Sequence, residues 1–276
     1  MRLYAVYAER IQQMARLDAE LVRRGIAGSR ARAQELISGG QISVDGKVCT
    51  KSSKQVEETS EIIMEGEGLA YVGRGGLKLE KALEISRADL RGCVCMDIGA
   101  STGGFTDCML QNGAAKVYAV DVGHGQLAAS LCADSRVVNM EGTDIRTLSD
   151  DAVSEPVDFI SVDVSFISLR LILPHVARFL RREGTAAILI KPQFEAGREN
   201  IGKHGIVRSQ KVHVNVLIQI MEELQANGLS LTALCPSPVK GGSGNIEYLA
   251  CAVHSDIPPI AADIHETAAR AFSEKK

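Results

Sequence analysis

Cys93-Val-Cys-Met-Asp97-Ile-Gly99-Ala-Ser101-Thr102-Gly103-Gly104-Phe105-Thr-Asp, a helix-length segment, and then Lys116-Val-Tyr-Ala-Val-Asp121 form the stretch from which the architecture unfolds. An apolar run ends in an acid, a glycine-rich turn follows, and a second apolar run ends in a second acid. Short apolar runs punctuated by glycine read as strands. The order is strand, loop, helix, strand, the nucleotide-cradling half of a doubly wound α/β domain whose ligand sits beyond the carboxyl ends of the strands.

The same alternation continues downstream. Strands are expected at 93–98, 116–121, 137–140, 157–163, 186–191, 231–235 and 247–254, and helices at 77–86, 104–112, 125–132, 167–180 and 209–227. Such βα alternation gives a Rossmann-like, mostly parallel seven-stranded sheet with helices on both faces. The last two strands have no helix between them and should form an antiparallel pair at one edge. Residues 257–276 begin with Pro258-Pro259 and read as a tail that allows a polar helix.

Upstream, residues 1–15 are an extension in which Tyr4, Val6, Tyr7, Ile11 and Met14 could share a helical side. Residues 16–65 read as a small α+β module: a helix at 17–24 stopped by Gly25, a helix at 30–38 capped by Ser29, and a hairpin turning on Asp45-Gly46. Residues 66–76, with Gly66, Gly68, Gly73, Gly75 and Gly76, read as a linker, and 77–256 as the α/β domain.

Charge separates the two parts. The chain of 276 residues carries a formal net charge of −3, yet residues 16–54 hold eight Arg or Lys against four acids. A local cationic excess on an acidic protein marks an anion-binding face, and Arg30 and Arg32 open a helix whose free N–H groups also favour anions. Trp is absent and aromatics make up 4%, which argues against base recognition through many stacked rings. The odd count of seven cysteines has neither the spacing of a disulfide framework nor that of a metal site, and reads as reduced thiols in a cytoplasmic protein. No apolar run approaches the ~20 residues of a membrane span, and no signal peptide is read at the N-terminus.

The spacing Asp97-x-Gly99-x-x-x-Gly103-Gly104 differs from the Gly-x-Gly-x-x-Gly of dinucleotide sites, which needs a pyrophosphate at the helix start. S-adenosylmethionine has a zwitterionic tail and no pyrophosphate. Asp97 beside the loop could receive its ammonium, directly or through water. Asp121, ending the next strand, is placed for the ribose hydroxyls, and Asp144, after the third, for the adenine amino group. Three further ionisable groups stand at strand ends: Asp163, Lys191 and Glu247. A lysine closing an apolar strand is costly unless paired, and Asp163 is its candidate partner. Functionally, Lys191 could stabilise a developing alkoxide on a substrate hydroxyl and act on its proton.

Two resemblances fit these residues. Arg16-Leu-Asp, Leu21-Val-Arg23-Arg24-Gly, Ser29-Arg30-Ala-Arg32-Ala, Ile37-Ser-Gly-Gly-Gln-Ile and Val44-Asp-Gly-Lys47 resemble the RNA-binding motif named after the fourth protein of the small ribosomal subunit. This implies RNA binding by shape and phosphates, through Arg16, Arg23, Arg24, Arg30, Arg32 and Lys47. Arg74-Gly-Gly-Leu-Lys-Leu, Asp97-Ile-Gly-Ala-Ser-Thr-Gly-Gly-Phe-Thr, Asp121-Val-Gly-His-Gly-Gln-Leu, Asp163-Val-Ser-Phe-Ile-Ser, Lys191-Pro-Gln-Phe-Glu and Asn245-Ile-Glu-Tyr resemble the TlyA family, whose catalytic part is an FtsJ-like 2′-O-ribose methyltransferase. The resemblance implies a donor loop of Asp97, Gly99, Ser101, Thr102, Gly103, Gly104 and Phe105. It places the family's Lys-Asp-Lys-Glu tetrad on Lys78, Asp163, Lys191 and Glu247, with Lys81 a rival for the first place. It further implies methylation of cytidine ribose in ribosomal RNA, hence rRNA or ribosomal subunits as partners; the alternatives are 2′-O-methylation of another structured RNA, or a non-catalytic RNA-binding or ribosome-assembly factor. Some members carry the name haemolysin. No metal, membrane or protein partner is expected.

Overall fold

Apolar side chains gather into separate clusters on either side of Leu69 in the computed structural model, which describes residues 14–64, 70–241 and 244–273. The chain divides there into two units, Met1–Leu69 and Ala70–Lys276. The extension up to residue 13 and the glycines at 66 and 68 lie outside the described residues.

The first unit runs β1 (Ala15–Arg16), α1 (Leu17–Arg23), α2 (Arg30–Ser38), β2 (Ile42–Val44), β3 (Lys47–Val48), β4 (Gln55–Val56) and β5 (Ile62–Met64). Ser29 caps α2 by accepting from the Arg32 N–H at 3.2 Å. Asp45 and Gly46 both take positive φ, the geometry of a hairpin turn whose twist matches its strands. Two pairings escape the sequence reading: β5 adds antiparallel to β2, and β1 pairs with β4. Strands of two or three residues are too short to show an alternating period. Leu17, Leu21, Ala33, Ile37 and Ile42 fill this core with no exposure.

The second unit runs α3 (Gly75–Ser86), β6 (Val94–Ile98), α4 (Gly104–Gln111), β7 (Lys116–Asp121), α5 (Ala129–Cys132), β8 (Val137–Glu141), β9 (Val157–Val162), α6 (Leu173–Phe179), β10 (Leu180–Ile190), α7 (Pro192–Glu195), α8 (Gln210–Ala226), β11 (Leu229–Pro236), β12 (Tyr248–His254) and α9 (Ile264–Ser273). Its seven-stranded sheet has the order β11-β12-β10-β9-β6-β7-β8. The run from β10 to β8 is parallel, and β12 lies antiparallel between β10 and β11, the expected edge arrangement.

Four segments differ from expectation, while the tail carries the helix it allows. The helix expected at 167–180 is a 3-10 turn (Leu169–Leu171) followed by the shorter α6, and the strand expected at 186–191 starts earlier, as the eleven-residue β10. Residues 125–132 keep only the short α5, because Glu141 takes the N–H groups of Gln126 and Leu127 and holds that stretch as a loop. Residues 70–76 are not a free linker. Tyr71 is buried and donates to Glu80 at 3.0 Å, and the Val72 N–H donates to Asp107 at 2.7 Å. The glycines there are sites of close approach: a Cβ on Gly76 would lie 2.2 Å from the Tyr71 ring, and one on Gly104 3.1 Å from the Gly76 nitrogen. The tail forms α9, which buries Ala268 and Ala271 and sets Phe272 edge-on against His213 at 5.0 Å. Among the described residues, no helix is long and apolar enough to cross a membrane. All seven cysteines are free thiols, and burial pushes those of Cys108 and Cys251 up to about 12.

Candidate active site

A cleft of about 560 Å³ opens at the carboxyl ends of β6, β7, β8 and β9, within the size range of small-molecule sites. Gly99, Ser101, Asp121, Asp144, Ile145 and Asp163 are among its lining residues. Asp121 accepts the Ser101 N–H at 2.8 Å and the Gly123 N–H at 2.7 Å, which ties the glycine loop to the β7 tip and fixes this carboxylate. Asp144 is gripped by the Arg146 guanidinium at 2.6–3.1 Å, which holds its carboxyl below the usual range. Ile98, Val120, Val122 and Ile145 add apolar surface.

The structure separates residues that the motif groups together. Asp97 is fully buried, accepting from Thr106 at 2.7 Å and Ser161 at 2.8 Å, so it braces the loop from below rather than meeting a ligand ammonium. Burial, opposed by those two hydroxyls, pushes its carboxyl up to about 6. Gly99, at φ +88°, lies so near the Asp163 carbonyl that a Cβ would come within 2.5 Å. Gly103 faces Leu131, Gly104 faces the start of α3, Thr102 lies beside Gly73, and Phe105 is buried next to Gly75. Ser101 alone of the expected Ser101–Phe105 group lines the cleft.

Sheet register assembles the tetrad. Asp163 and Lys191 follow the parallel strands β9 and β10, so both emerge at the cleft edge. Because β12 runs antiparallel, its start reaches the same edge: Ile190 pairs with Tyr248, which puts Glu247 opposite Lys191. Lys78, in the first turns of α3, meets Glu247 at 2.6 Å, with both side chains buried. Lys81 instead pairs with Glu84 at the surface, which separates it from the site. Lys191 Nζ lies 2.6 Å from Asp163 Oδ1 and donates to Ser165 Oγ at 2.8 Å. The Asp163 contact is an ion pair without hydrogen-bond alignment, leaving that buried oxygen open to another donor.

An aromatic pair at the cleft, Phe166 and Phe194, has no role in the sequence reading, because aromatics are so few. Phe166 lines the cleft, takes φ +64° and is 91% exposed. Its ring lies 5.0 Å from that of Phe194. A bulky residue held in the left-handed region with its ring in solvent is unusual enough to suggest a ligand-facing task. Its place inside the quoted Asp163-Val-Ser-Phe run was the available signal. Glu195 anchors this loop by accepting from Ser168 Oγ at 2.6 Å and the Leu169 N–H at 2.8 Å.

In the first unit, many of the cations expected to touch RNA have internal partners. Arg16 and Arg30 pair with buried Asp18, and Arg23 and Arg24 with buried Glu20. Arg24 also donates to the carbonyls of Ser60 and Glu58, both at 2.8 Å, a structural task. Arg32 contacts Glu35 at 3.3 Å. Lys47 is exposed on β3 with no ion pair among the described residues. The side chains of Arg16, Arg23 and Arg30 remain about half exposed despite their partners.

A mostly parallel sheet with one antiparallel strand next to its edge, an acid-tipped donor cleft and a separate basic module define a methyl-transferring enzyme with an RNA-binding domain. The model of the FtsJ-like methyltransferases matches residues 71–254, and that of the S4 domain residues 15–62. The 16S/23S rRNA (cytidine-2′-O)-methyltransferase TlyA of Mycobacterium tuberculosis is 40% identical over 94% of this chain and 98% of its own. YqxC of Bacillus subtilis, named as a candidate rRNA methyltransferase, is 47% identical over 85% of this chain and 84% of its own. The solved structure of a candidate hemolysin from Streptococcus thermophilus superposes with a TM-score of 0.77 at 42% identity, covering 95% of this chain and 97% of that one. The chain belongs to the FtsJ-like methyltransferase family, in the TlyA branch that carries an S4 domain. It is a methyltransferase, and its methyl donor is S-adenosylmethionine.

Proposed function

We propose that this enzyme methylates the 2′-hydroxyl of a cytidine ribose in ribosomal RNA, working in the cytoplasm with the S4 unit docking the RNA. The observation that carries the reading is the convergence of the Lys191–Asp163 and Lys78–Glu247 pairs, which sheet register brings to the edge of the donor cleft. When bound, S-adenosylmethionine supplies an electrophilic methyl group. Asp121 orients the donor ribose. Lys191, with two contacts already made, directs a remaining N–H at the substrate 2′-oxygen and stabilises the charge that develops there. Asp163, whose Oδ1 has no hydrogen-bond donor among the described residues, receives the hydroxyl proton as the new O–CH3 bond forms and the S–CH3 bond of the donor breaks, leaving the neutral thioether product. Lys78 and Glu247 hold the far side of the ribose, and Phe166 offers a stacking face to the target base.

The test is transfer of radiolabelled methyl to unmethylated ribosomal subunits, followed by mapping of ribose methylation. Lys191→Ala should lower kcat by roughly 10²–10³-fold, the cost of removing one preorganised stabilising donor. Donor affinity should stay within about twofold of the wild type, since the interaction is made in the transition state. Donor binding without transfer to any rRNA would refute the reading.

A further inference from the structure

A second cationic surface lies on the catalytic unit, outside the tetrad and the S4 unit. Arg198, Lys203, His204 and Arg208 are exposed on the segment joining α7 to α8, and Lys211 is exposed in the first turn of α8. From residue 198 to residue 221 the one acid is Glu199, which accepts from the Asn200 side-chain amide at 3.2 Å, and none of these cations forms an ion pair among the described residues.

Surface loops are usually mobile, but this one is fastened by buried side chains. Asn245 donates to the Gly205 carbonyl at 2.9 Å and accepts from the Val207 N–H at 3.2 Å. His213 Nε2–H donates to the Val207 carbonyl at 3.0 Å, which leaves Nδ1 to accept from the Tyr248 hydroxyl at 2.9 Å. Asn245, His213 and Tyr248 are each 3% exposed or less. Asn245 and Tyr248 flank Glu247 in the chain, so the loop is fixed to the same strand entry that presents a tetrad residue. Lys191 bounds it at the other end through α7.

Four Arg or Lys against the single acid Glu199, held in register with a site for a ribose hydroxyl, suit the phosphates on either side of that ribose. We propose that the 198–211 segment is a phosphate-binding surface that grips the RNA strand flanking the reacting nucleotide, and that Asn245 and His213 are positioning residues that set it relative to Glu247. This rests on the RNA reading of the site given above.

The test compares the triple variant Lys203→Ala, Arg208→Ala, Lys211→Ala with Arg182→Ala. Arg182 is exposed and paired with Asp256, near the opposite end of β10 from Lys191. Binding of an unmethylated rRNA transcript is measured across a salt series, with S-adenosylhomocysteine affinity as a check on folding. The triple variant should bind RNA at least about tenfold more weakly and flatten the slope of log K against log salt by about 2, near 0.7 per lost phosphate contact. Its KM for rRNA should rise while kcat holds, and Arg182→Ala should change affinity less than twofold. Asn245→Ala should weaken RNA binding in the wild-type background but add nothing in the triple variant, whereas a general loss of structure would subtract from both. Equal effects of the triple variant and Arg182→Ala, or an unchanged salt slope, overturn the proposal. So does loss of binding to phosphatidylserine–phosphatidylcholine vesicles with RNA binding intact, which would assign the surface to anionic lipid. If the wild type shows the loop-dependent slope yet transfers no methyl group, the catalytic reading fails and the docking surface stands.

Discussion

Asp97 shows how far one residue's role depends on burial that a sequence does not display. Its position at a strand tip is legible; its enclosure between Thr106 and Ser161 is not. With the folded carboxyl at about 6 and the unfolded value near 3.8, the native state binds a proton more tightly between those values. The associated stability is therefore full below pH 3.8 and lost as pH rises through 6, on the order of 3 kcal/mol. Both neighbours are hydroxyls that can either donate or accept, so an asparagine amide fits the same place. Asp97→Asn should remove this loss: urea unfolding at pH 5 and pH 8 should show a smaller drop for the variant than for the wild type. Equal drops would refute the assignment. A similar contrast divides the arginines of the first unit, whose number is legible but whose partners are not. Arg24→Ala takes one of its two arginine partners from buried Glu20, leaves the Ser60 and Glu58 carbonyls without this donor, and should cost about 1–3 kcal/mol. Lys47→Ala should change stability by less than about 0.5 kcal/mol while weakening RNA binding. Thermal melts beside RNA titrations separate the two, and a Lys47→Ala loss of stability as large as that of Arg24→Ala would contradict the division.

Elements were legible where period and punctuation agree. The parallel strands and the antiparallel edge follow from apolar runs of five or six residues and from the missing crossover helix between β11 and β12. The short strands β1, β4 and β5 carry too few residues for any period. The glycines before α3 carry an ambiguous signal, since glycine serves both freedom and close approach. Here they form a seam: α3 packs against the start of α4 with Gly76 and Gly104 in contact, and Tyr71 covers Gly76. Gly76→Ala must displace the Tyr71 ring, and overpacking of this kind costs about 1–3 kcal/mol. Because α3 carries Lys78, the displacement should also lower kcat, with donor affinity less affected. A variant with wild-type melting temperature and turnover would show that the seam has slack.

The molecule joins two units with separate cores, and the position of their boundary is itself testable. Sequence punctuation favours a catalytic unit starting at Leu77, whereas the structure starts it at Ala70. The difference is seven residues that look like a linker and pack like a core. Tyr71 is buried, Val72 satisfies Asp107, and the Ala70 carbonyl accepts from Gln111 at 2.8 Å. Removing them exposes the α3–α4 seam and leaves Asp107 without its backbone donor. Burial of one large side chain together with one hydrogen bond to a charged group is worth about 3 kcal/mol. For a domain of this size, that lowers the melting temperature by roughly 6–12 °C. A fragment beginning at Ala70 should fold, bind S-adenosylhomocysteine as the full chain does, and lose RNA affinity because the S4 unit is gone. A fragment beginning at Leu77 should melt lower by that margin and bind the donor product more weakly, since Gly73 lies against Thr102 of the donor loop. Calorimetric melting and ligand titration of the two fragments decide the matter: equal melting temperatures and equal affinities would return residues 70–76 to the status of a linker.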